Sequence, residues 1–186
     1  MFDEEDKPKR VKVLKKITKQ RLKNIALYYL KRYETSVENL RQVLRKRVND
    51  YAYQNKDFDK GEAYGWIEEI VSDFERFGYV NDERFTEIRV RDYISAGKSI
   101  RYIRGKLREK GISEELVGSV LDNQEYDEYE TALKLARKKH IGPFRADEEV
   151  RFENRQKDMG TLIRAGFSYD VVMKVLNLNE DDICGF

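Results

Sequence analysis

The 186-residue sequence has one cysteine, one histidine and two prolines. Cys184 alone excludes a disulfide within the chain and a thiolate metal cage, and it fits a reducing compartment. With His140 the only imidazole, a Cys/His or Ser/His/Asp arrangement would have to be assembled from isolated candidates. Catalysis therefore has little support, and a structural role for His140 is the expectation. Glycine-rich phosphate loops of the Gly-x-x-x-x-Gly-Lys or Gly-x-Gly-x-x-Gly kind are missing, as is any His/Asp/Glu grouping with metal-ligand spacing, so no cofactor and no metal are expected. Apolar runs are only a few residues long, and Met1 to Asp6 has neither the basic nor the apolar region of a secretory signal. A cytoplasmic protein without a membrane partner is expected.

What the chain has in quantity is charge. Asp, Glu, Lys and Arg make up 39% of it, and the mean hydropathy is −0.80. Both argue for a thin, elongated body with much exposed face. The net charge of +2 hides a dipole, because the first 50 residues carry 15 Lys/Arg against 7 Asp/Glu and the remaining 136 carry 22 against 28. Clustered charge of this kind suits a polyanion or a protein with opposite patches, and a merely solubilising surface is an equal alternative.

The chain opens with an acidic cluster, Asp3 to Asp6, followed by a basic arm from Lys7 to Lys23 in which Val11 and Val13 fit either a short strand or a helical stripe. The arm is expected to be mobile when unbound. Leu22, Ile25, Ala26, Tyr29, Leu30 and Tyr33 then lie on one face of an amphipathic helix. Thr35-Ser36-Val37-Glu38 reads as a capping box for a second helix bearing Leu40, Val43 and Leu44. After a polar stretch from Asn49 to Tyr64, a third stripe runs from Trp66 through Ile67, Ile70, Val71 and Phe74 to Phe77, ending at Gly78.

The order recurs. Asn81 or Asp82 caps a helix with Phe85, Ile88 and Tyr93; Ser99 caps one with Ile100, Ile103 and Leu107; Ser113 caps one with Leu116, Val117, Val120 and Leu121. A third round has Tyr129, Ala132, Leu133 and Ala136, a longer interruption around Gly142-Pro143, then Phe152, Met159, Leu162 and Ile163, and finally Val171, Val172, Val175 and Leu176. Leu107 to Asp122 aligns with Leu162 to Asn177 at an offset of 55, with six identities in sixteen positions, among them Gly111/Gly166 and Ser113/Ser168. The shared chemistry is a glycine that tolerates a left-handed helix stop and a serine that receives the first amides of the next helix. Three helices in three rounds predict an all-α, elongated array of three tandem three-helix units.

Two middle helices are basic. Lys98, Arg101, Arg104 and Arg108 run along one expected helical face with Lys106 and Lys110 beside it, and the first round offers Arg41, Arg45, Lys46 and Arg47. Residues 84–110 hold nine Lys/Arg and three Asp/Glu, whereas residues 111–130 hold seven Asp/Glu and no Lys/Arg, so adjacent surfaces of opposite sign are expected. A positive track for phosphates or an acidic protein groove follows. Helix-dipole complementation accounts for Arg45 to Arg47 but not for Lys98 and Arg101. Most of the 12 tyrosines and 9 phenylalanines fall on apolar stripes, with Tyr102 the exception.

Ala26-Leu27-Tyr28-Tyr29-Leu30 with Ser36 and Leu40, Gly78-Tyr79-Val80-Asn81-Asp82-Glu83-Arg84-Phe85, Leu107-Arg108-Glu109-Lys110-Gly111-Ile112 and Arg164-Ala165-Gly166-Phe167-Ser168 together resemble the RecX regulators over about residues 25–178. Thr86 and Ala165 depart from that pattern, and residues 49–63 look inserted. The resemblance implies a non-enzymatic modulator that lies in the helical groove of RecA-DNA filaments and restrains ATP hydrolysis and strand exchange in recombination and DNA repair. The domains expected are a basic arm (1–20), three-helix units (21–80, 81–125 and 126–178) and an acidic tail (179–186). Arg41, Arg45, Lys46, Lys98, Arg101, Arg104, Lys106 and Arg108 are the expected filament or phosphate contacts of a monomer. Its partners are expected to be the RecA filament and single- or double-stranded DNA. The alternative is a stand-alone helical DNA-binding protein using the arm and the basic helices.

Overall fold

A computed structural model describes residues 13–178. They are helical throughout, without strands, and divide into two compact units, one ending at Val80 and one beginning at Asn81. No described helix is long and apolar enough to cross a membrane.

The first unit contains α1 (Lys19–Leu30), α2 (Val37–Gln54) and α3 (Lys60–Arg76). Leu22 and Ala26 of α1, Leu40, Leu44 and Val48 of α2, and Ala63, Ile67, Ile70, Val71 and Phe74 of α3 form one buried cluster. Their helical spacing is what brings them to a common face, and each large side chain buried there contributes about 1.5–3 kcal/mol. Tyr33 lies past the C-cap of α1 and is exposed, and Phe77, at the C-cap of α3, is 65% exposed, so both leave the stripes on which their spacing put them.

Three local expectations change here. The cap of α2 is Ser36, not Thr35: Ser36 Oγ accepts from the Asn39 amide at 3.1 Å, while Thr35 Oγ1 accepts from Asn39 Nδ2 at 2.7 Å. Shifting the cap by one residue frees Glu38 from capping and turns it toward Arg41. The polar stretch after Asn49 is mostly helix, since α2 runs to Gln54 and only five residues (55–59) separate it from α3. Tyr51 and Phe58 secure that connection with an edge-to-face contact at 5.0 Å against the core. Finally, the near end of the basic arm is packed: Ile17 is buried, the Leu14 amide donates to Gln54 Oε1 at 3.2 Å, and Thr18 caps α1. Neither strand nor helix forms at residues 13–17. Val11 and the Asp3 to Asp6 cluster lie outside the described residues, as do Cys184 and the acidic tail.

The second unit holds two clusters. α4 (Asp82–Ser95), α5 (Ile100–Arg108) and α6 (Glu114–Asp122) bury Phe85, Val90, Ile103, Leu107, Ile112, Val117, Val120 and Leu121. Asn81, Ser99 and Ser113 cap these helices as their chemistry predicts, each accepting an amide three residues on. Ile88, on the stripe by its spacing, is exposed. Thr86 is fully buried, and its hydroxyl donates to the Asp82 carbonyl at 2.6 Å, which satisfies the polar group at that departure from the family pattern.

α7 (Glu128–Lys139), α9 (Arg155–Arg164) and α10 (Tyr169–Leu176) enclose Ala132, Leu133, Ala136, Leu162, Phe167, Val172, Val175 and Leu176. The interruption around Gly142-Pro143 is a 3-10 turn (Gly142–Phe144) followed by the short α8 (Glu148–Glu153). Phe152 belongs to α8 and is 81% exposed, because the chain re-aims at Asn154 before α9 begins. His140 ends α7 in the left-handed conformation, φ 51°, and is exposed: its role is to stop a helix.

Candidate functional site on the basic helices

Arg41 and Arg45 face α3. Arg41 Nε reaches Glu68 Oε2 at 2.9 Å and its terminal nitrogen pairs with Glu38, while Arg45 reaches Glu68 Oε1 at 2.9 Å and lies 5.8 Å from the Tyr64 ring centre. Partial desolvation would raise the Glu38 pKa, but hydrogen bonds from Arg41 and Gln42 and the charges of Arg41 and Arg45 outweigh it and hold the carboxyl below its ordinary range. Desolvation likewise opposes, and the Glu38 and Glu68 contacts overcome, a pKa change at Arg41, which ends raised. Two guanidiniums and two carboxylates thus neutralise one another on the α2–α3 surface. Lys46, one residue on, is exposed and unpaired among the described residues.

On α5 the expected single row of cations divides. Lys98 precedes the Ser99 cap and is not on the helix; its ammonium lies 5.1 Å from the Tyr102 ring centre, and that of Lys106 lies 5.9 Å away. Tyr102 is half-buried and meets Tyr93 edge-to-face at 5.7 Å. Lys106 also reaches Glu109 at 2.9 Å, a contact that raises its pKa. Arg101, Arg104 and Arg108 do share one face, apart from the buried Ile103 and Leu107, as their three- and four-residue steps require. Arg104 pairs with Glu114 of α6, so the acidic stretch does lie beside the basic helix. Arg101 and Arg108 are exposed and make no ion pair among the described residues.

Arg101 stands in the first turn of α5, where no acidic residue offsets it. The helix dipole disfavours a cation there by about 0.3–1 kcal/mol, so its position answers to something other than helix stability. Its setting is also held in place from a distance. Ser99 is buried, accepts from the Tyr102 amide at 3.2 Å and donates to the Ala165 carbonyl at 2.7 Å, tying the start of α5 to the turn between α9 and α10. Gly166 in that turn has φ +94°, and a Cβ built on it would lie 2.5 Å from Ser99 Oγ and 3.3 Å from Arg101 Cβ. Periodicity identified Gly166 as a helix stop; only the fold reveals that it also admits Ser99.

The equivalence of Ser113 and Ser168 is incomplete in the same way. Ser113 caps α6, but Ser168 does not cap α10 with its side chain; both its amide and its hydroxyl are taken by Glu128 of α7, at 2.7 and 3.1 Å. A further polar group is buried: Asp158 is 1% exposed, accepts the Gly142 amide at 2.8 Å and receives two hydrogen bonds of 2.8 Å from Arg145. No local pattern distinguishes it from the solvated acids around it.

The chain matches two family models, "RecX, second three-helix domain" at residues 81–121 and "RecX, third three-helix domain" at residues 125–176. It is 38% identical to the regulatory protein RecX of Myxococcus xanthus over 167 residues, 89% of either chain. Against the regulatory protein RecX of Legionella pneumophila it is 29% identical over 136 residues, covering 73% of this chain and 88% of that one. In fold it resembles the crystal structure of RecX from Lactobacillus salivarius, with a TM-score of 0.57 and 22% identity over 85% of this chain and 94% of that one. It also resembles a second crystal structure of a regulatory protein RecX, with a TM-score of 0.61, 23% identity and coverage of 86% and 72%. By sequence and by the order and packing of its helices, the chain belongs to the RecX family of regulatory proteins.

Proposed function

We infer that the protein is a non-enzymatic regulator that binds RecA-DNA filaments in their helical groove and restrains ATP hydrolysis and strand exchange. Family membership supports the class of activity. The observation that carries the surface is the pair Arg101 and Arg108, exposed, unpaired among the described residues and on one face of α5. Charges spared from internal pairing lose little on meeting an acidic protein groove or a phosphate, and they steer encounter. Arg41, Arg45 and Arg104 are engaged with Glu38, Glu68 and Glu114 and would have to give up those partners, so they are secondary contacts in this reading. Lys98 and Lys106, gathered around Tyr102, form a second contact group. The protein acts as a cytoplasmic monomer.

The test is a titration of the protein into recombinase filaments on single-stranded DNA, following ATP hydrolysis, with naked-DNA binding measured at the same salt. Suppression at concentrations well below those that bind naked DNA is expected. The double variant R101E/R108E should raise the half-suppressing concentration about tenfold or more, in line with the ~1.4 kcal/mol per tenfold that losing favourable charge contacts brings. An unchanged titration would show that this face is not the contact. The unpaired Lys46 favours a second reading, stand-alone DNA binding, which predicts strong, steeply salt-dependent binding with no effect on hydrolysis.

A further inference from the structure

We propose that the first unit carries a site for single-stranded nucleic acid in the groove between residues 14–28 and α2, with backbone phosphate held by Lys15, Arg21 and Arg47 and an unpaired base stacked on Tyr28. The groove measures about 640 Å³, within the range of sites that take small organic groups, and it is also lined by Tyr51 and Asp50. Its cations outnumber its carboxylates three to one.

The state of those cations sets the groove apart from the side of α2 that faces α3. Arg41 and Arg45, on the same helix, are spent on Glu38 and Glu68. Lys15, Arg21 and Arg47 make no ion pair among the described residues, and Asp50, which lines the same space, pairs with none of them. Arg21 goes further: its Nε is buried and donates to no acceptor among the described residues. A buried guanidinium donor left unmade is costly, and the oxygen of an anion seated in the groove is the acceptor it lacks. Phosphate suits that donor, since guanidinium forks bind it through paired N–H groups.

The aromatic component decides which phosphate carrier fits. Tyr28 is 59% exposed at the groove wall, with the Arg32 guanidinium 4.4 Å from its ring centre. An exposed ring beside unpaired cations is the combination that single strands use, with bases stacking on the ring while the backbone follows the charge. A duplex keeps its bases stacked on one another and offers this groove phosphate alone. The site lies wholly in the first unit and uses none of the α5 cations, so it stands or falls separately from filament regulation.

The experiment measures fluorescence anisotropy of a labelled oligo(dT) with the full chain across a salt series, with unlabelled duplex of equal length as competitor. Single strand should bind and duplex should compete poorly. R47Q and R21Q should each weaken binding about tenfold and reduce the salt slope by about one. Y28L should weaken it about fivefold with the salt slope unchanged, a split that a diffuse positive surface does not produce. Arg47 and Tyr28 are surface side chains, so unaltered helical circular dichroism and melting of R47Q and Y28L exclude misfolding as the cause. Failure of the chain to bind oligo(dT), an inert Y28L, equal competition by duplex, or R101Q/R108Q losing as much affinity as R47Q would each overturn the proposal. Filament hydrolysis followed with the same variants separates this result from the regulatory one: R47Q and Y28L should weaken oligo(dT) binding as stated and leave suppression of hydrolysis unchanged, while R101E/R108E should weaken suppression and leave oligo(dT) binding intact.

Discussion

Asp158 is a buried carboxylate of the second unit, held by Arg145 and the Gly142 amide. Burial would raise its pKa, but the Arg145 hydrogen bonds and the Gly142 amide prevail and hold it below the ordinary aspartate range. A carboxyl whose folded-state pKa is depressed contributes stability that is fully present above its unfolded value, about 3.9, and is lost as pH falls through the lower folded value. Melting temperature should therefore drop on acidification in that range, and Asp158→Asn should flatten this acid limb. At neutral pH the same substitution should cost about 3 kcal/mol, the low end for breaking a buried pair because Arg145 is itself partly exposed, as chemical denaturation would measure. Little stability change at pH 7 would mean that the pair contributes only geometry. This residue was illegible beforehand because its neighbours in sequence are equally charged; what distinguishes it is burial, which depends on Gly142 and Arg145, 16 and 13 positions away.

At the level of elements, the junction of α5 with the α9–α10 turn is where sequence signals and packing meet. Ser99 was recognisable as a cap, and Ser99→Ala should cost about 1 kcal/mol for that reason alone. Its second bond, to Ala165, spans 66 positions and left no trace in local pattern. Gly166→Ala should be worse than an ordinary helix-stop substitution, because its Cβ would be both strained at φ +94° and driven against Ser99 Oγ. The double variant S99A/G166A should then be less destabilised than the two single changes summed, since removing the hydroxyl opens space for the methyl. Strict additivity in denaturation would show that the two residues do not share this contact. Elsewhere a break in helical phase misleads pattern reading. Helical periodicity placed Phe152 on a stripe, but a turn of two helices at Asn154 interrupts the phase and exposes it.

On the scale of the whole molecule, the core among the described residues is three clusters, one in the first unit and two in the second. Each is closed by side chains from its own helices, so a fragment beginning at Asn81 should fold to a helical, cooperatively melting domain, as circular dichroism on that fragment would show. Leu44→Ala, in the first unit, should cost about 2–5 kcal/mol in the full chain. A fragment without cooperative melting would mean that the first unit contributes to the stability of the second.

Much of the protein was determined by its residues taken in order. The apolar spacing that makes ten α-helices among the described residues, the Asn and Ser caps and the glycine stops act within one or two turns, and local geometry suffices to read them. The all-α class, the recurrence of helices and the resemblance to RecX followed from that. The availability of each cation did not. Arg41, Arg45 and Arg104 were indistinguishable from Arg101, Arg108 and Arg47 until the fold paired the first three with Glu38, Glu68 and Glu114 and left the others without an ion pair among the described residues. An ion pair needs its partners within about 4 Å, so apart from the Arg41–Glu38 contact within α2, which arginine is spent and which remains open depends on contacts between helices, and only the tertiary structure decides them.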